Sequence, residues 1–100
     1  MDTEMINDKV SQGIMLISAE KYDAAKLLLE DIIAEAPRTM EAYIHLGNAC
    51  ANLGKYDEAI ESFKKALLVD PNYVEAYFSI GSIYVLMNEK VKAIEFYNKA

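Results

Sequence analysis

Residues 40–73 read MEAYIHLGNACANLGKYDEAIESFKKALLVDPNY. Tyr43, Leu46, Gly47 and Cys50 recur at i, i+3, i+4 and i+7, which is one face of a 3.6-residue helix. Leu53-Gly54-Lys55 interrupts the pattern, and Gly54 is suited to the positive φ that ends a helix. Asp57 stands where an N-cap is expected. Ala59, Ile60, Phe63, Ala66 and Leu67 then form a second apolar face, and Asp70-Pro71-Asn72 stops it. The stretch therefore predicts two helices joined by a short turn.

The unit recurs on both sides. Gly13, Gly47 and Gly81 are each 34 residues apart, as are Ala25, Ala59 and Ala93, and Pro37 and Pro71. Residues 40–66 laid on 74–100 share Glu41/Glu75, Ala42/Ala76, Tyr43/Tyr77, Ile60/Ile94, Lys65/Lys99 and Ala66/Ala100, among others. Six helices are predicted, at 6–19, 23–36, 40–53, 57–70, 74–87 and 91–100, in repeats spanning 6–39, 40–73 and 74–100. Met1–Met5 is expected to be a frayed start and Asp23 the N-cap of the second helix. The third turn carries Asn88 in the glycine slot and Val91 in the N-cap slot, which at about 1 kcal/mol per missing cap makes the last helix the weakest.

A helix–turn–helix unit of this period resembles the tetratricopeptide repeat. The resemblance covers residues 6–100 and implies an all-α, right-handed superhelical solenoid in a single domain, 1–100. Small residues are expected where helices approach closely, at Gly47, Ala59 and Ala66, with Tyr43, Leu46 and Phe63 filling the space around them. Repeat one departs most: Lys9 stands in the slot of Tyr43 and Tyr77, and Gln12 in that of Leu46 and Ile80. Polar residues there suit an outer repeat with no neighbour.

Composition narrows the function. The chain has 100 residues, is 53% hydrophobic and 26% charged, and carries a net charge of −6. That balance fits a globular domain and argues against a nucleic-acid binder, which needs a basic face. No apolar run reaches the length of a membrane span. The N-terminus, with Asp2, Glu4 and Asp8, does not read as a signal peptide. A single cysteine forms no internal disulfide and fits a reducing, cytoplasmic setting. Cys50 lies on the core stripe and is expected to be a buried hydrophobe. No spacing of His, Cys, Asp or Glu suggests a metal or cofactor, and no nucleophile meets a base, so an enzyme is not expected.

What remains is a surface. The resemblance implies that the first helix of each repeat lines a concave groove. On this register its candidate residues are Val10, Ile14 and Ile17 from repeat one, then Ile44, His45, Asn48 and Asn52. Repeat three adds Phe78, Ser82 and Val85, and Ser11, Ser18, Ala51, Ser79 and Leu86 are expected to face the groove as well. A helix apolar on two faces has either two buried neighbours or one neighbour and a binding site. Two readings therefore stand: Val10, Ile14 and Ile17 pack within a tight superhelix, or they floor a groove for an apolar or amphipathic segment of a protein partner. Asn48 can both donate to and accept from an extended peptide backbone. Some members of the family hold acidic chaperone tails with basic and amide residues. The matching positions here, Val10, Ile14, His45, Glu75 and Ser79, lack lysine and arginine, so that specificity is not implied.

A scaffold or adaptor is thus expected, the alternative being a segment of a longer repeat array or a self-associating module without its own ligand. Repeat three stops at Ala100, short of a full unit, so Ile83, Tyr84 and Met87 are expected to be only partly covered. Homo-oligomer formation through this C-terminal repeat is one way to bury them.

Overall fold

The computed structural model describes residues 3–100. Six helices follow one another: α1 Thr3–Ser18, α2 Tyr22–Glu35, α3 Met40–Asn52, α4 Tyr56–Val69, α5 Val74–Leu86 and α6 Lys90–Lys99. Among the described residues there is no strand. Each odd helix packs on the even helix after it, and α3 and α5 also pack on the even helix before them. The stack measures 41 × 27 × 18 Å, the shape of an α-solenoid of three helix pairs.

The turns explain where the odd helices end. Glu20, Gly54 and Asn88, each 34 residues apart, all adopt positive φ, at 61°, 76° and 60°. After each, an amide reaches back to an orphan carbonyl: Lys21 N–H to Leu16 O at 2.8 Å, Lys55 N–H to Cys50 O at 2.9 Å and Glu89 N–H to Tyr84 O at 2.8 Å. This six-to-one bond is the Schellman closure of a helix C-terminus. Gly54 and Asn88 behave as expected.

Three expectations about helix ends are corrected. Thr3, Glu4 and Met5 are helical, because α1 starts at Thr3; Met1 and Asp2 lie outside the described residues. Asp23 and Asp57 are inside the first turns of α2 and α4, and the N-cap residues are Lys21 and Lys55, without a side-chain capping bond. The tight C-terminal closure of the preceding helix leaves no room for a separate capping residue. The two aspartates act instead on the positive end of the helix dipole. Val91 likewise lies within α6, whose N-cap is Glu89.

Packing follows the 34-residue register. A Cβ placed on Gly47 would lie 2.7 Å from the Phe63 ring, and one on Gly81 2.7 Å from the Tyr97 ring. At Gly13 the neighbour is a Leu29 methyl at 3.1 Å. Gly47 is therefore small because the Phe63 ring lies on its backbone. Tyr43 Oη donates to Pro37 O at 2.7 Å, and Tyr77 Oη donates to Pro71 O at 3.2 Å, pinning each odd helix to the end of the preceding repeat. Lys9 holds the corresponding slot on α1. Cys50 is 1% exposed, within a core that includes Leu29, Ile32, Phe63 and Ile80.

Candidate functional site

The candidate surface is the face shared by α1, α3 and α5. Helix α1 packs against α3, but α3 and α5 do not meet to a comparable extent. A cleft of about 290 Å³ opens between them. Asn48 and Ala51 of α3 form one wall, and Phe78, Ser79, Ser82, Ile83 and Leu86 of α5 form the other. Phe63 of α4 lines the floor. The volume is at the lower edge of the range of about 300–1,000 Å³ typical of small-molecule sites.

Register-equivalent positions grade from closed to open along this face. Val10 is 8% exposed, Ile44 is half-buried and Phe78 is 51% exposed. Val10 is thereby corrected: it belongs to the core, at a stage of the stack where the two odd helices lie against each other. Ile17 and Ile44 are half-buried and packed on that core. Of the residues expected to face the groove, Asn48, Ala51, Phe78, Ser79, Ser82 and Leu86 come together in the cleft. Ile14 and Val85 are exposed but do not line it. His45 is half-buried and Asn52 exposed, both on α3 outside the cleft lining.

Polar side chains in and beside the cleft bond within the fold. Asn52 Nδ2 donates to Asn48 O at 2.8 Å, and Ser82 Oγ lies 3.1 Å from Tyr97 Oη. The Tyr97 ring stands 6.0 Å from that of Phe78, so α6 supports the α5 wall. Burial pushes the His45 imidazole below its ordinary pKa, partly opposed by Glu41 one turn away, which favours the neutral ring.

Sequence reading assigned Phe63 to the core alone and missed that it also floors the cleft. Its contact with Gly47, in line with Leu29 on Gly13 and Tyr97 on Gly81, was the available signal. The expected open edge at Ile83 and Tyr84 is also corrected. Both are buried, Tyr84 beneath Phe96 at 5.5 Å and Lys92 at 5.6 Å. The exposure of repeat three lies instead at Phe78, Val85, Leu86, Val91 and Ile94.

Burial raises the Cys50 thiol pKa, and Glu58 and Glu30 raise it further, so the thiolate is disfavoured. Among the described residues no cluster of His, Cys, Asp or Glu is arranged to hold a metal, and no helix is long and apolar enough to cross a membrane.

Comparison with known proteins agrees with the repeat fold. Residues 11–67 match a family profile described as tetratricopeptide repeat, and residues 47–88 match one described as TPR repeat. No curated protein matches the sequence. Among solved structures, MamA MSR-1 is similar at 33% identity and a TM-score of 0.88, over 94% of this chain and 54% of that one. A crystal structure of MamA gives 26% and 0.90, over 94% and 55%. MamA AMB-1 gives 32% and 0.86, over 94% and 55%. The chain thus spans about half the length of these structures.

Proposed function

We infer the function from one premise: the chain belongs to the tetratricopeptide repeat family. It is a protein-interaction module. In the reading proposed here, it acts as an adaptor that holds an apolar or amphipathic peptide segment on the face of α1, α3 and α5. The observation that carries this is the cleft between α3 and α5, where exposed Phe78 faces the Asn48 side over an aromatic floor. An apolar ligand side chain buried there gains roughly 1.5–3 kcal/mol. The Asn48 amide and the Ser79 hydroxyl fix the ligand backbone. Ile14, Ile17, Ile44, His45, Asn52 and Val85 extend the surface along the stack. Binding of a protein segment in the cytoplasm, without nucleic acid, membrane or cofactor, completes the reading.

Selection of displayed random peptides against the chain, followed by titration of the labelled protein, tests it. Amide shifts concentrated at Asn48, Ala51 and Ser82 are expected, and their loss on Phe78→Glu with helicity retained. Shifts confined to α2, α4 and α6 overturn the reading.

A second reading has its own observation. Ile60 is 6% exposed in repeat two, whereas Ile94 in the same register is 60% exposed in repeat three. Self-association through the C-terminal repeat covers Ile94 and Val91. Sedimentation at rising concentration should show association that Ile94→Glu abolishes; a strict monomer rules this second reading out.

A further inference from the structure

Charge is sorted between the two helix sets. Helices α3 and α5, whose walls form the cleft, contain no lysine or arginine; their charged residues are Glu41 and Glu75. These glutamates are register equivalents in the first turn of each helix. Glu41 precedes His45 and Asn48 on one stripe, and Glu75 precedes Ser79 and Ser82 on the next. At 1.5 Å per residue, Glu41 is about 10 Å along the axis from Asn48, and Glu75 is about 6–10 Å from Ser79 and Ser82, the cleft-lining residues of each stripe. Each full negative charge outweighs the positive half-charge of its helix N-terminus. Tyr73 Oη donates to Glu75 at 2.8 Å and leaves that charge in place. His45, kept neutral by its burial, adds no compensating cation.

Several cations are held elsewhere, and Arg38, the cation just before α3, lines with Lys65 a separate hollow beside Tyr43 and Val69. Lys26 pairs with Glu30 and Glu58, and Lys92 pairs with Glu89. Lys64 and Lys99 lie over the Phe96 ring of α6. Lys9, on α1, occupies the slot of Tyr43 and Tyr77, which point back toward a preceding turn. The cleft is therefore apolar at its centre and acidic at one end.

We propose that the cleft receives a protein segment with one bulky apolar side chain as its anchor and a lysine or arginine two or three residues away, over Glu41 and Glu75. The spacing follows from the carboxylate distance and the roughly 3.3–3.6 Å advance per residue of an extended chain. The inference rests on the peptide-binding reading above and adds the charge of the partner. It also fixes the direction in which the segment lies: its basic side is toward the N-terminal ends of α3 and α5.

The test uses three synthetic peptides with the same Leu-Phe anchor and lysine, glutamate or glycine-serine flanks, titrated into the labelled 100-residue chain. The lysine-flanked peptide should shift Asn48, Ala51 and Ser82 and bind roughly three- to tenfold tighter than the neutral one, as two exposed ion pairs allow. The advantage should shrink toward none in 1 M salt. In the Glu41→Gln/Glu75→Gln double variant, the lysine-flanked and neutral peptides should bind alike. Equal or tighter binding of the glutamate-flanked peptide, with shifts still in the cleft, overturns the charge inference and leaves the peptide-binding reading intact. A lysine advantage that survives in the double variant overturns the assignment to these two carboxylates. If no peptide shifts the cleft amides, the peptide-binding reading falls and the inference with it.

Discussion

Glu20→Gly should stabilise the protein. Glu20 holds a positive φ of 61° at the end of α1, in the slot where repeat two has Gly54. An L-residue in that conformation costs about 1–2 kcal/mol. Glycine removes the cost but adds about 0.5–1 kcal/mol of unfolded-chain entropy. The side chain of Glu20 is exposed and takes part in no ion pair or hydrogen bond among the described residues. The net gain is therefore about 0–1.5 kcal/mol, or up to about 12 °C in Tm for a chain of this size. Gly54→Ala is the mirror experiment. A Cβ there meets nothing within 4 Å, so only backbone conformation opposes it, and a loss of about the same size is expected. Thermal and urea unfolding followed by circular dichroism at 222 nm measure both. Opposite signs at the two register-equivalent positions are required. A lower Tm for Glu20→Gly, or a higher one for Gly54→Ala, would refute the claim that this slot is governed by the left-handed backbone.

Gly47→Ala should cost about 1–2 kcal/mol net, because the Phe63 ring is too enclosed to move, whereas Gly13→Ala should be near neutral or stabilising, since only a Leu29 methyl must give; urea midpoints compare them. Because the folded-state pKa of His45 is lowered, the unfolded chain binds its proton more readily, so stability should fall as pH drops below about 6.5 toward the folded value. His45→Gln should remove that part of the slope, which unfolding curves between about pH 7 and pH 5 will show. Phe78→Glu should weaken binding of a selected peptide at least roughly tenfold while leaving the helical signal unchanged, as expected for a half-exposed ring that buries about 1.5–3 kcal/mol of apolar contact on binding; loss of helicity would place Phe78 in the core. Cys50 should react with a thiol reagent only at the rate of opening, and fast native-state labelling would contradict its burial.

The architecture was legible because the sequence repeats its steric problems. Glycine recurs where a ring or methyl lies on the backbone, and tyrosine recurs where a hydroxyl must reach the preceding turn. The two proline turns likewise end α2 and α4. Identical slots have identical local geometry, so a 34-residue register carries over from residue to residue. The site was less legible because its exposure is not local. Val10, Ile44 and Phe78 occupy one slot and would be given one role by any periodic reading, yet they run from core to open surface. What separates them is their place in the stack: Val10 is on α1, which packs on α3, Ile44 is on α3, which meets α5 less, and Phe78 is on α5, the last odd helix described. Phe63 shows the same limit from the other side: on its own helix it is a core residue, and it becomes a cleft floor only because α3 and α5 stand apart above it. Charge was more readable than shape. The absence of lysine and arginine from α3 and α5 can be counted in the sequence once the helices are known, and geometry is needed only to show that Glu41 and Glu75 stand at the same end of the cleft. A repeat protein's register thus assigns each residue its neighbours within a unit. Exposure is set between units, where the packing of one odd helix on the next decides whether an apolar residue is core or surface.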